Sequence, residues 1–184
     1  RLGSMLVSIA LRMTLRPILL FPDPILRQKT EEVAVFDASL ARLVAELAET
    51  MYGAPGVGLA APQVGDLRRV AVVDIDPSGP RSLLHVLVNP RVVAWAGAET
   101  DVEGCLSIPG FTERVERPLA VRVAAQRLSG EAYEVEAEGF FARVLCHEID
   151  HLEGILFIDH LRGLRRQLAM RKLGKLGYAR ESMA

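Results

Sequence analysis

The strongest chemical signal in this sequence is a pair of histidines four residues apart with an acidic residue beside the first. His147, Glu148 and His151 stand in the segment HEIDH. Residues four apart on an α-helix lie on the same face, so both imidazoles are able to bind a single metal ion. Glu148 would then project beside the ion, where a carboxylate acts as a general base. The spacing predicts two metal ligands and a base, although two unrelated surface histidines would give the same short pattern.

A catalytic metal site of this kind needs a third protein ligand, because such sites usually have three and leave one position open. The best candidate is Cys105, in the segment EGCLS at residues 103–107. A single cysteine between a glycine and a leucine is more often a small buried apolar residue than a ligand. The sequence around Cys105 therefore leaves both interpretations open.

A third unusual segment is GVGLAAPQ at residues 56–63. It lacks the Lys-Ser/Thr pair of a phosphate-binding loop and does not complete the glycine pattern of a dinucleotide-binding turn. Its small residues would instead let the backbone pass close to a ligand or metal, with the amide of Gln63 as a fixed donor and acceptor. The alternative is a tight loop in which Gln63 is merely solvated.

Helical periodicity identifies the elements that must position these segments. The first helix opens at Asp37 or Ser39 and closes at Gly53, with an apolar stripe three and four residues apart. The stripe consists of Leu40, Leu43, Val44, Leu47 and Met51. A second helix is predicted from Phe140 to Leu152, ending near Gly154, and it carries the HEIDH segment. A third, rich in arginine, runs from about residue 159 to residue 176.

Between the first and second helices the sequence is rich in β-forming residues. Strands are predicted at residues 69–75, 83–88, 91–95, 120–128 and 132–137. Ser129-Gly130 joins the last two as a hairpin turn. This order favours an α+β fold, with largely antiparallel sheets packed around a central metal-binding helix and a C-terminal helix.

The composition is that of an ordinary globular protein. The chain has 184 residues, half of them hydrophobic, and a net charge of −1, which favours neither DNA nor an anionic membrane as a partner. Residues 1–4 resemble a cloning remnant, and residues 5–184 are predicted to form a single catalytic domain. No apolar run is long enough to cross a membrane. With only Cys105 and Cys146, a disulfide scaffold is disfavoured and a cytoplasmic location is expected.

Taken together, the three segments resemble the peptide deformylase family, whose hallmarks GxGLAAxQ, EGCLS and HExDH occur here in that order. The resemblance extends to PDPILR at residues 22–27 and to Asn89-Pro90. It covers most of the chain from about residue 15 to residue 161. It implies a hydrolase that removes the formyl group from the N-terminal formyl-methionine of nascent proteins and releases formate.

The resemblance also implies a role for each matching residue. Cys105, His147 and His151 would bind one divalent metal ion, usually ferrous iron, with zinc, nickel or cobalt as substitutes. Glu148 would act as general base, and the Gln63 side chain and the Leu106 backbone N–H would stabilise the oxyanion. The substrate would contact Val57, Gly58, Glu103, Gly104, Arg143 and Val144.

Two positions depart from the common family pattern. Cys146 often corresponds to glutamine in relatives, and because it points about 100° away from His147 on a helix, it is predicted to be a packed free thiol. Arg143 falls in the part of the helix that lines the methionine pocket in relatives, where an apolar residue is expected. Its aliphatic stem could line the pocket while its charged head reaches water.

Rival interpretations come from other classes of protein. A peptidase using His147, Glu148 and His151 would cleave internal peptide bonds and need no formyl group. A closed metal site, completed by Cys146 or Asp150, would only stabilise the fold. The C-terminal helix also carries a local basic excess, which is either a solvated face or a weak ribosome contact. Its basic residues are Arg162, Arg165, Arg166, Arg171, Lys172 and Lys175.

Overall fold

The computed structural model describes residues 15–79 and 83–178. The predicted cloning remnant at residues 1–4 lies outside these ranges, and the single domain over 5–184 stays a prediction. The helices are α1 (Ala38–Gly53), α2 (Phe140–Leu152) and α3 (Gly163–Lys175). The strands are β1 (Gly58–Ala60), β2 (Val70–Val73), β3 (His85–Ala96), β4 (Glu99–Gly104), β5 (Thr112–Arg117), β6 (Ala120–Gln126) and β7 (Ala132–Glu138).

The strands form two antiparallel sheets. One has five strands in the order β1-β2-β3-β6-β7, and the other is the β4-β5 pair. The predicted hairpin joins β6 to β7, where Gly130 has φ +83°, a conformation that favours glycine. The prediction of an α+β fold with largely antiparallel sheets is confirmed.

Strand β2 is buried on both faces because α1 and α2 lie on opposite sides of it. Side chains alternate between the two faces of a strand. Val70 and Val72 belong to the apolar cluster that contains the predicted stripe of α1. Val73 belongs instead to the cluster that contains residues of α2, and Ala71 packs with Leu152 at the end of α2. Helix α2 is therefore enclosed by protein, as a helix that holds a buried site must be.

Helix α1 begins where the sequence predicts. The Asp37 side chain accepts hydrogen bonds from the backbone N–H groups of Ser39 and Leu40, which caps the first turn. Helix α2 has the predicted bounds, and Gly154 follows it with φ +74°. A Cβ atom at Gly154 would lie 2.5 Å from the Arg27 carbonyl oxygen, so glycine is required there. Within the described residues, no helix is long and apolar enough to cross a membrane.

The structure corrects several predicted strand boundaries. The two strands predicted at residues 83–88 and 91–95 form the single strand β3, which kinks at Asn89, where φ is +52°. The Asn89 side chain stabilises this kink by hydrogen bonds to both backbone groups of Val33 and to Gln126. Strand β1 lies within the glycine-rich segment, where no strand was predicted. Strands β4 and β5 were not predicted at all.

The third helix begins later than predicted. Residues Phe157–His160 form a separate turn of 3₁₀ helix, and the backbone at Leu161 and Arg162 is extended. Helix α3 therefore starts at Gly163 instead of residue 159. Its buried residues Ala169 and Leu173 pack in an apolar cluster with Phe157.

Candidate metal centre and active site

The three predicted metal ligands converge on one point. Sγ of Cys105 lies 3.2 Å from Nε2 of His151, and Nε2 of His151 lies 3.2 Å from Nε2 of His147. The ligand atoms of all three residues lie within 4.8 Å of one another. The single turn of α2 between the two histidines brings the imidazoles edge to face, with ring centroids 4.8 Å apart, and Cys105 approaches from the loop after β4. Residues 46 positions apart in the chain thus meet at one centre.

This arrangement fits a divalent metal ion. Zinc-type bonds of about 2.0–2.3 Å at tetrahedral angles place neighbouring ligand atoms roughly 3.3–3.6 Å apart, close to the two separations of 3.2 Å around Nε2 of His151. Burial lowers the pKa of His151 well below its ordinary value. A neutral imidazole has a ring nitrogen lone pair for a metal. One thiolate and two imidazoles suit borderline and soft divalent ions.

Glu148 lies beside this centre with one oxygen unused. Its Oε2 atom is buried and has no hydrogen-bond partner among the described residues. Burial raises the pKa of its carboxyl group to about 7, with a smaller lowering effect from His147. The backbone of Gly58 passes so close that a Cβ atom there would lie 2.3 Å from Oε1 of Glu148. The carboxyl group therefore stands between the candidate ligands and strand β1.

Gln63 is held rigidly on the other side of the centre. Its Oε1 accepts a hydrogen bond from the Ala60 backbone N–H at 2.9 Å. Its Nε2 lies 3.1 Å from Oγ of Ser107 and 3.6 Å from Sγ of Cys105. The Gln63 amide is buried and not merely solvated, and its N–H₂ group points at the centre.

Glu103 supports His147 from behind the ring. Its Oε1 lies 2.7 Å from Nδ1 of His147, and the same carboxyl group forms ion pairs with Arg117 and Arg143. Burial alone would raise the pKa of Glu103, but hydrogen bonds from His147 and Arg117 hold it well below its usual range. Because these three partners occupy both oxygens of Glu103, its backbone is the part left to face the cavity.

A cavity of about 420 Å³ opens beside the centre. All six predicted substrate-binding residues line it, together with His147, Glu148, Cys105, Gln63 and Leu106. One wall is the start of α2, and the opposite walls are the glycine-rich segment and the loop after β4. The structure thus brings the residues of the three sequence segments to one cavity.

The Arg143 side chain is not placed as the sequence predicts. Its guanidinium does not reach water but is buried, because Nη1 bonds to Oε2 of Glu103 and to the Val115 carbonyl. Nη2 donates to the carbonyl oxygen of Glu99. The charge is neutralised in place, and the side chain ties α2 to both strands of the β4-β5 pair. The sequence could not reveal these partners because they come from residues 28–44 positions away.

Cys146 lies buried in the apolar cluster between α2 and the five-stranded sheet. Burial raises the pKa of its thiol to about 11, which favours the neutral form. This agrees with a packed free thiol.

Comparison with known proteins identifies the family. The sequence profile of the family described as polypeptide deformylase matches residues 15–167. The peptide deformylase of Alkalilimnicola ehrlichii is 49% identical over 164 residues, which cover 89% of this chain and 92% of that protein. The relative from Mesorhizobium japonicum is 45% identical over 165 residues, covering 89% of this chain and 94% of that protein. The chain belongs to the peptide deformylase family.

Solved structures of peptide deformylases share the fold. The enzyme from Legionella pneumophila is 43% identical with a TM-score of 0.83, covering 89% of this chain and 96% of that one. The enzyme from Synechococcus elongatus, solved in complex with actinonin, is 38% identical with a TM-score of 0.82 and covers 88% of both chains. Peptide deformylases are metal-dependent hydrolases that remove the N-formyl group from nascent peptides. Membership of this family disfavours both rival interpretations of the sequence, a peptidase and a purely structural metal site.

Two residues of the peptide deformylase site were missed by sequence reasoning. Arg117 joins Glu103 to Asp150 through bonds of 2.6 and 2.5 Å, and it is almost fully buried. Ser107 accepts the hydrogen bond from Gln63. A buried arginine gives no periodic signal, and Arg117 lies 14 positions from Glu103 in the chain, so no local pattern connects the two residues.

Proposed function

We propose that this chain removes the formyl group from the N-terminal formyl-methionine of nascent proteins with one divalent metal ion held by Cys105, His147 and His151. The observation that carries the proposal is the convergence of these three ligand atoms beside a buried, unpartnered oxygen of Glu148 in a cavity. When bound, the ion would polarise the formyl oxygen and lower the pKa of a water molecule. The formyl-methionine substrate is implied by the family resemblance.

Ferrous iron is the proposed ion in the cell, on the basis of the family resemblance. The donor set of one thiolate and two imidazoles is equally suited to zinc, nickel or cobalt, because geometry and ligand type restrict the choice only to this group. The proposed setting is the cytoplasm, where nascent chains emerge. Metal analysis of enzyme purified without oxygen and without added metal would test the assignment, and a dominant ion other than iron would overturn it.

Glu148 is proposed as the group that moves the proton. Its carboxyl group is buried beside the candidate ligands and has a free oxygen, so it is placed both to accept a proton and to return one. It would take a proton from the attacking water and pass it to the nitrogen that leaves as the free N-terminal amine. The products are then formate and the deformylated peptide.

Two donors are proposed to stabilise the oxyanion that develops on the formyl group. Nε2 of Gln63 is held toward Cys105 by the two bonds that fix its amide. The Leu106 backbone N–H donates to no other group in the described part of the chain, and Leu106 lines the cavity. Donors fixed before the reaction are worth on the order of 3 kcal/mol each.

The substrate backbone is proposed to lie along the free edge of β1. Among the described strands, β1 pairs only with β2, and the Val57 carbonyl already accepts a bond from the Asp74 N–H at 2.9 Å. Along an antiparallel strand, the N–H and C=O groups of one residue point toward a neighbouring strand and those of the next residue point away from it. Because the Val57 carbonyl bonds to Asp74, the N–H and C=O groups of Gly58 face away from β2. They would bond the substrate backbone, with the methionine side chain against Arg143 and Val144.

The direct test is formate release from formyl-Met-Ala-Ser, measured with the metal content of the same sample. We expect activity that disappears with a chelator and returns with a stoichiometric divalent ion. A control peptide that begins with acetyl-methionine and contains internal peptide bonds should remain intact. Cleavage inside either peptide would support a peptidase instead. Tightly bound metal with no formate release would support a purely structural site.

Helix α3 is further proposed to make a weak, salt-sensitive contact with ribosomal RNA. Arg165 and Lys172 lie near Glu113, and Arg166 pairs with Asp159. These carboxylates partly neutralise the positive charge of the three basic side chains. Arg171 and Lys175 form no ion pair within the described residues and are exposed. A variant with both changed to glutamate keeps the buried face of α3. Ribosome co-sedimentation at low salt should fall for this variant, and binding equal to that of the parent would overturn the proposal.

A further inference from the structure

Asp74, directly after β2, makes contacts on both sides of the glycine-rich segment. Its side chain is almost fully buried. Oδ2 accepts a hydrogen bond from the hydroxyl of Tyr52 at 2.7 Å, and Oδ1 accepts one from the backbone N–H of Asp76 at 3.0 Å. The backbone N–H of Asp74 donates to the Val57 carbonyl at 2.9 Å. One residue thus holds both the last turn of α1 and the residue that precedes β1.

Other described contacts also hold the intervening residues: the Ala54 N–H donates to the Thr50 carbonyl at 3.0 Å, and Val57 packs against the apolar cluster that contains residues of α2. After Tyr52 the chain leaves α1, and the Gly56 N–H closes the turn by donating to the Met51 carbonyl at 2.9 Å. Residues 55–58 then form one wall of the cavity. The Tyr52–Asp74 and Asp74–Val57 hydrogen bonds join this wall to the end of α1 and to the residue after β2.

The wall has little room to move inward. A Cβ atom at Gly56 would lie 2.7 Å from Cδ1 of Leu106, and one at Gly58 would lie 2.3 Å from Oε1 of Glu148. The segment therefore sits against two residues with proposed roles in the reaction. A loss of the fixing contacts would mainly let it move away from the substrate.

We infer that the Tyr52–Asp74 hydrogen bond is a positioning contact that holds residues 55–58 where the Gly58 backbone pairs with the substrate backbone. The inference rests on the proposed function, since it assumes a peptide laid along β1. Neither side chain lines the cavity, so both residues would act through the position of the segment. The expected consequence is on substrate binding more than on the chemical step.

The test compares Tyr52→Phe with a matched control, Tyr133→Phe. Tyr133 is also half-buried, and its hydroxyl donates to the Val86 carbonyl at 2.6 Å in a different part of the fold. Each variant loses one hydroxyl and the hydrogen bond that this hydroxyl donates to Asp74 or to the Val86 carbonyl. The measurements are kcat and KM for formyl-Met-Ala-Ser at a temperature well below the unfolding transition of both variants.

For Tyr52→Phe we expect KM to rise at least about fivefold, the equivalent of one ordinary hydrogen bond, with kcat within about twofold of the parent. Tyr133→Phe should keep both constants. A merely structural loss would reduce the amount of folded enzyme and therefore lower kcat without raising KM. An unchanged KM in Tyr52→Phe, or an equal rise in both variants, would overturn the inference.

Amide hydrogen exchange gives a second readout that does not depend on activity. Exchange of the amides at residues 56–59 should be faster in Tyr52→Phe than in the parent and unchanged in Tyr133→Phe. If the parent released no formate, the proposed function would fail while this measurement still decided whether the contact holds the segment. Equal exchange in Tyr52→Phe and the parent would overturn the inference by itself.

Discussion

Glu103 accepts a hydrogen bond from Nδ1 of His147 at 2.7 Å, which directs Nε2 of the same ring toward Cys105 and His151. A carboxylate behind a ligating histidine fixes both the tautomer and the orientation of the ring. Two buried arginines neutralise Glu103 in turn. The centre is therefore flanked by a charged network that fixes the His147 ring.

Glu103→Gln should weaken metal binding by about 10–100-fold, since the amide lacks the charge that fixes the His147 tautomer. The measurement is metal retention in competition with a chelator of known affinity. Glu32→Gln, which alters an exposed carboxyl paired with Arg91, is the control and should match the parent. Unaltered metal affinity in Glu103→Gln would remove Glu103 from this supporting role.

Cys105→Ala, His147→Ala and His151→Ala should each lose tightly bound metal, because each removes one of three protein ligands. Cys146→Ser is the matched control for the cysteine, since that thiol lies in an apolar cluster away from the other ligand atoms. It should retain its metal, which elemental analysis of the purified variants would measure. Full occupancy in any of the three alanine variants would refute that ligand.

Gln63→Ala should keep its metal and fold but lose about 10²–10³-fold in kcat, the usual consequence of removing one oxyanion donor. Its amide bonds to Ser107 and Ala60 rather than supplying a metal ligand. Steady-state kinetics with metal analysis would separate the two effects. Gln63 would be excluded from the reaction if catalytic efficiency were unchanged.

Gly58→Ala should slow turnover roughly 10–100-fold, because its Cβ atom would lie 2.3 Å from Oε1 of Glu148 and must displace that side chain. Gly174→Ala is the control, since a Cβ atom there meets nothing within 4 Å. The control should keep the kcat of the parent. Equal kcat in Gly58→Ala would mean that Glu148 adjusts without cost or is not needed where it stands.

The sequence predicted those features that depend on local periodicity. Helices α1 and α2 were predicted because their apolar residues recur every three or four positions and their ends carry Asp37 and Gly154. Strands β4 and β5 escaped prediction because they are largely exposed and charged, with Glu103 in β4 and Val115 and Arg117 in β5 as their buried residues. No apolar alternation marks such strands.

The residues of the candidate site likewise fall into those that local patterns predict and those that they do not. The spacing of His147 and His151 indicates one ion because the helix itself brings them together. Cys105 could not be assigned from local chemistry, and only the family resemblance selected it. The partners of Arg143 and Arg117 could not be predicted from neighbouring residues in the sequence. They depend on the register of β4 against β5 and on how that pair of strands packs on α2.

The central claim is that Glu148 moves the proton and does not hold the metal. Its free Oε2 atom and its absence from the group of converging ligand atoms support this division of roles. The most direct measurement is kcat for formate release by Glu148→Ala, made with the metal content of the same sample. The account predicts full metal content, a folded protein and turnover at least ~10²-fold slower than the parent. Turnover equal to that of the parent, or loss of the metal from a folded variant, would contradict it.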